Sequence, residues 1–171
     1  ITHCTQEDLL DVSQLLHQLC CKFKARMIPI VDESLLPFLK KCHELIPDTN
    51  EKEGADLPPH LVTEQLHTKK IMFAFLYQVV TKNCTPALLS PTNVGSLEGI
   101  LKMVGDGAIN VPDPNMKKAC VQFFKELSNQ WLVNGVDGSN TNIVRGFQTY
   151  LEQTFIPGVF GIFLQDSYNV K

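Results

Sequence analysis

The sequence predicts an all-α fold, an α-solenoid of antiparallel helical hairpins, and three observations carry that expectation. Apolar residues recur at intervals of three and four in six successive stretches. No stretch alternates with period two over enough residues to build a sheet. Proline, glycine and asparagine gather between the stretches, where a chain reverses direction. Six helices joined in pairs, with no strand between them, leave a bundle or a solenoid.

The first helix opens on Thr5 with Asp8 three residues later, a short-armed capping box, and carries the stripe Leu9, Val12, Leu16, Leu19 and Phe23. The second carries Ile28, Val31, Leu35, Leu39, Cys42 and Ile46. Pro29 sits where a first turn tolerates it, Pro37 is expected to kink the helix, and Pro47 to end it. Asp48 to Pro59 is acidic, polar and bounded by prolines, and reads as a loop. The third helix, from about Leu61 to Cys84, has apolar residues over much of its circumference, which requires packing on several sides. After Thr85 to Pro91, a fourth stripe runs Val94, Leu97, Leu101, Val104 and Ala108. Four glycines make it a poor helix by propensity, and the G-x-x-x-G spacing of Gly95 and Gly99 reads as close packing.

Val111-Pro112-Asp113-Pro114 is a stop and restart, with Asp113 as N-cap and Pro114 in the first helical position. Met116, Cys120, Phe123, Leu127 and Trp131 form the fifth stripe, and Asn134 to Asn140 the loop after it. Val144, Phe147, Leu151 and Phe155 form the sixth. Pro157-Gly158 is expected to end that helix, with a seventh beginning at Val159. The expectation is a single solenoid over 1–171, of six to seven helices in about three hairpins at approximately 5–46, 61–109 and 114–157.

Composition is that of a globular chain: 44% hydrophobic, 19% charged. Fifteen Lys and Arg against eighteen Asp and Glu leave a net charge of −3, far from the strong basicity of a domain that grips nucleic acid alone. The six cysteines form no C-x-x-C pair and lie mostly among apolar residues, as buried reduced thiols in a cytosolic or nuclear protein would. No signal peptide opens the chain, and no apolar run approaches the ~18 residues of a membrane span. The start at Ile1 and the stop at Lys171 read as cuts from a longer protein.

Catalytic constellations are missing, so no enzyme is expected. The five histidines lack H-E-x-x-H spacing, no metal set is complete, no cofactor is implied, and the glycines match neither a phosphate loop nor a dinucleotide fingerprint. Asn83-Cys84-Thr85 is a glycosylation sequon by chance. Three basic doublets remain, Lys40-Lys41, Lys69-Lys70 and Lys117-Lys118, which suit phosphates or an acidic partner, although such lysines more often mark a solvated helix face.

Asp113-Pro114 opening a helix, with Lys117-Lys118-Ala119-Cys120 ahead of an apolar stripe, is how HEAT hairpins commonly begin, and equally how an ordinary capped helix of any all-α protein begins. Together with Cys21-Lys22-Phe23-Lys24, Phe73-Ala74-Phe75-Leu76, the Trp131 helix end and Phe155-Ile156-Pro157, it resembles the C-terminal half of the exportin-T family. These are tRNA exportins among the importin-β-like karyopherins. The likeness runs from Asp8 to about Phe160, and the acidic loop departs from it.

The resemblance implies a nuclear export receptor that takes up mature tRNA with Ran in its GTP form, meets nucleoporins, and shuttles between nucleus and cytoplasm while catalysing nothing itself. A karyopherin segment or HEAT scaffold for protein cargo is the alternative. In such solenoids the second helix of each hairpin lines the concave face. Lys40, Lys41, Lys102 and Arg145 are then the candidates to meet tRNA or Ran, and Lys69, Lys70, Lys117 and Lys118 fall on outer helices.

Overall fold

The periodicity read from the sequence becomes seven α-helices in the computed structural model, which describes residues 5–46, 58–135 and 140–164. In order they are α1 (Gln6–Phe23), α2 (Ile28–Leu45), α3 (Pro59–Thr81), α4 (Leu97–Asn110), α5 (Pro114–Ser128), α6 (Thr141–Tyr150) and α7 (Ile156–Phe163). The described residues contain no strand. Most of the Asp48–Pro59 loop and the centre of the Asn134–Asn140 loop lie outside the described residues, as does Pro47. The chain divides into two compact units, Ile1–Leu97 and Glu98–Lys171.

In the first unit α3 is the centre, with α1 and α2 both packed on it. α1 starts with the expected capping box: the Asp8 N–H donates to Thr5 Oγ1 (3.2 Å) and the Thr5 N–H to Asp8 Oδ2 (2.7 Å). That backbone donor, with the Thr5 hydroxyl behind it, holds the Asp8 carboxyl below its ordinary range. Leu9, Leu16 and Cys20 are buried, and Gln6 Nε2 ties α1 to α3 through the Glu64 carbonyl (2.7 Å) and Thr68 Oγ1 (2.8 Å). α2 continues through Pro37 as one helix and buries Val31, Leu35, Phe38, Leu39 and Cys42, with the Phe38 ring 4.4 Å from that of Phe75. On α3, Ile71, Met72, Phe73, Phe75, Leu76, Val79 and Val80 are all buried, the all-round burial that its composition demands.

The segment after α3 is pinned to α2 by one amide. Asn93, fully buried, donates through Nδ2 to the Asp32 carbonyl (3.0 Å), to Asp32 Oδ1 (2.8 Å) and to the Ala87 carbonyl (2.9 Å), while the Ser90 hydroxyl also donates to Asp32. A short 3-10 turn, Val94–Ser96, then leads into α4 three residues later than the apolar stripe begins.

In the second unit α5 begins as its sequence requires, with Asp113 Oδ1 accepting from the Asn115 and Met116 N–H groups (2.8 and 2.9 Å) and Pro114 in the first turn. Its core is aromatic. The Phe124 ring lies 4.0 Å from Phe155, 6.0 Å from Tyr150 and 6.4 Å from Phe147, and Trp131 meets Phe147 edge-on at 5.2 Å.

Three sequence expectations fail here. Of the α1 stripe, Val12 and Phe23 are exposed, and the buried face runs through Leu9, Leu16 and Cys20. Pro157-Gly158 does not end the sixth helix: α6, a π-turn at Leu151–Phe155, and α7 follow without a break. The Ile156 N–H reaches back five residues to the Leu151 carbonyl, and this wider turn places Pro157 in the first turn of α7, where its missing N–H and its ring are tolerated. Gly95 and Gly99 are not close-packed either; a Cβ on either would meet nothing within 4 Å. A close approach in α4 is at Gly105, where a Cβ would overlap the Tyr150 hydroxyl.

Candidate functional site

Each of the four candidate cations stands on the helix the sequence assigned it. Lys40 and Lys41 belong to α2 in the first unit, Lys102 to α4 and Arg145 to α6 in the second. Consecutive residues diverge by roughly 100° around a helix, and the difference shows: Lys40 is exposed, whereas the Lys41 side chain is 27% exposed with Nζ donating to Glu44 Oε2 at 3.1 Å. A surface pair one turn apart contributes about 0.3–0.5 kcal/mol, so Lys41 is restrained but not committed. Lys102 and Arg145 are exposed and make no ion pair with any described residue. Asp106, also exposed, shares the Lys102 face of α4 and reduces its field. Of the outer set, Lys70 and Lys118 are exposed, and Lys69 and Lys117 half-buried.

The thiols are packing groups. Cys20, Cys42, Cys84 and Cys120 are buried and Cys21 is exposed; all five are reduced, and Cys4 lies outside the described residues. Burial pushes the Cys84 and Cys120 thiols up to about 12, aided at Cys84 by the neighbouring Cys20. Thiols held so firmly protonated supply no nucleophile. Cys21 Sγ lies 3.7 Å from His17 Nε2, one turn away on α1. Among the described residues no group of three or more His, Cys, Asp and Glu side chains is placed to hold a metal ion, and no helix is long and apolar enough to cross a membrane.

A second feature has no counterpart in the sequence pattern. His17 of α1 with His67 and Lys70 of α3 line one groove of the first unit, together with Leu10, Ile71 and Ala74. The histidines lack metal spacing, and α2 separates them in sequence, so only the packing of α1 on α3 reveals the cluster.

Comparison with known proteins is consistent across the chain. The family model described as Exportin-T matches residues 1–171. Exportin-T of Arabidopsis thaliana is 25% identical over 153 residues, which is 87% of this chain and 15% of the relative. Exportin-T of Homo sapiens is 25% identical over 169 residues, 98% of this chain and 16% of the relative, and that of Danio rerio 23% identical over 168 residues with the same coverage. The chain thus spans about one sixth of the length of these curated relatives. No solved structure matches it. With the family model matched from end to end, the chain belongs to the exportin-T family.

Proposed function

We propose that this chain is a segment of a nuclear export receptor that binds mature tRNA together with Ran in its GTP form and carries it through the nuclear pore into the cytoplasm. The observation that carries this reading is the match of the exportin-T family model over residues 1–171. The segment acts by binding and not by catalysis, meets nucleoporins in transit, and shuttles between nucleus and cytoplasm.

Lys40, Lys41, Lys102 and Arg145 are its contacts to tRNA or to Ran. The exposure of three of them supports this role, and Lys41 joins them by releasing Glu44. A net charge of −3 makes the segment one contributor among several, since RNA affinity rests on phosphates neutralised. Contacts to backbone and shape fit A-form RNA, whose deep groove side chains do not read.

The test is tRNA affinity against salt concentration in the full-length protein, with RanGTP in excess. Removing all four residues is expected to weaken binding and to shallow the salt slope by roughly 0.7–0.9 for each phosphate no longer neutralised. Reversing Lys69, Lys70, Lys117 and Lys118 is expected to matter less. If the outer set hurts binding and the inner set does not, the assignment of faces is wrong. A full-length protein that takes up protein cargo with RanGTP and ignores tRNA sinks the tRNA reading altogether.

A further inference from the structure

The groove between α1 and α3 lies wholly within the first unit and encloses about 230 Å³. Leu10, Ile71 and Ala74 give it an aliphatic floor, His17, His67 and Lys70 stand round it, and no Asp or Glu lines it. Gln78 also faces it, and the Gln78 Oε1 atom is buried with no hydrogen-bond partner among the described residues.

We propose that this groove docks an acidic peptide segment of a protein partner, with one apolar side chain on the floor and a carboxylate at the His17–His67–Lys70 rim. Its volume is below the roughly 300–1,000 Å³ of ordinary small-molecule pockets and fits one side chain. The sign of the rim selects the partner's charge: Lys70 is a cation, and an imidazole donates an N–H to a carboxylate in either protonation state. This local patch stands out against a chain whose net charge is −3. Gln78 Oε1 asks for a donor, and a peptide main chain brings N–H groups to the floor. An RNA strand fits less well, because no Phe, Tyr or Trp lines the groove. Each unpaired base would forgo the roughly 1–3 kcal/mol that stacking on an aromatic ring supplies.

The groove shares no lining residue with the four cations of the tRNA reading, and its test needs neither tRNA nor RanGTP. The 171-residue chain is titrated against a fluorescein-labelled peptide of glutamates flanking one phenylalanine, read by fluorescence anisotropy. Lys70→Glu, on the exposed side of α3, is expected to weaken binding about five- to tenfold, the worth of one surface ion pair removed and reversed. Ala74→Phe fills the floor and is expected to abolish binding, as is replacing the peptide's phenylalanine by serine. Helical circular dichroism checks each variant; if Ala74→Phe fails to fold, His67→Ala at the exposed rim takes its place, with a severalfold loss expected. No binding by the unaltered chain, or equal affinity in the Lys70→Glu and floor or rim variants, overturns the proposal. So does a labelled oligouridylate that binds more tightly than the peptide and loses affinity in the same variants, which assigns the groove to nucleic acid.

Discussion

The Tyr150 hydroxyl donates to the Leu101 carbonyl across 3.2 Å, directly over Gly105. This bond joins α6 to α4 and makes Gly105 a position where a side chain does not fit. Alanine ordinarily gains about 0.8–1.0 kcal/mol over glycine inside a helix. At position 105 the added methyl would displace the hydroxyl, losing the bond and straining the ring packed on Phe124. Gly105→Ala is therefore expected to destabilise by about 1–3 kcal/mol in urea denaturation, while Gly99→Ala, in open space, leaves stability unchanged or raised. Adding Tyr150→Phe removes the oxygen in the way, so the Gly105→Ala change should cost less in that background than alone.

Asn93 supports a second prediction. Its Nδ2 serves three acceptors on two segments, and the residue is fully buried, so Asn93→Ala removes this donor from the Ala87 and Asp32 carbonyls and leaves Asp32 Oδ1 with the Ser90 hydroxyl. A loss of about 2–4 kcal/mol is expected. Hydrogen exchange should localise the loosening to α2 and residues 85–96, leaving the amides of α5 protected. Uniform loss of protection in both units would contradict the local role assigned to this amide.

Much of this architecture is written in short-range chemistry. Thr5 with Asp8 and Asp113 with Pro114 announce helix starts that the hydrogen bonds reproduce, and the three-and-four stripes name most of the buried residues of α2 and α5 but miss Phe38 and Phe124. What the sequence hides is what depends on distant neighbours. Pro157 breaks a helix in isolation, but the π-turn before it, its Phe155 seated against Phe124, moves the proline into a tolerated place. Gly95 and Gly99 match a packing motif by spacing alone, whereas Gly105 matches none and lies beneath the Tyr150 side chain. The candidate cations are legible as exposed charges, but their pairing is not: Lys41 meets Glu44, and Lys102 and Arg145 meet no acid among the described residues. The His17–His67–Lys70 cluster carries no signal in the sequence, because it exists only when α1 lies on α3.

The buried thiols make alkaline stability testable. Unfolded, Cys84 and Cys120 ionise near 9; folded, they keep their protons until about 12. Between those values the folded state binds more protons, so stability falls as pH rises; below pH 9 these groups contribute no slope. The urea midpoint is expected to decline from about pH 9 to about pH 11, and Cys120→Ala to flatten that decline even though its baseline is lower. At about pH 8, iodoacetamide should modify Cys21 first among the described cysteines and reach Cys84 and Cys120 only on unfolding.

Apolar side chains left at the surface give the last prediction. Ile156, Phe160 and Leu164 recur every fourth residue along α7 and just beyond it, and are 44%, 63% and 84% exposed. On α1, Val12, Leu15 and Phe23 make a comparable stripe, 45%, 56% and 42% exposed, on positions that the buried Leu9–Leu16–Cys20 face does not use. Contiguous apolar surface of this kind seeks a partner, so sedimentation velocity should show a weight-average mass that rises with protein concentration. Each Leu or Phe that becomes fully buried contributes about 1.5–3 kcal/mol. Phe160→Glu with Leu164→Glu should then weaken any association through α7 by at least about a hundredfold. Leu164 is 84% exposed, so Leu164→Glu alone should hardly move the urea midpoint. Val12→Glu with Leu15→Glu is the matched test of the α1 stripe, and whichever pair restores the monomer identifies the associating face. A chain that stays monomeric at every concentration would show that neither stripe is adhesive.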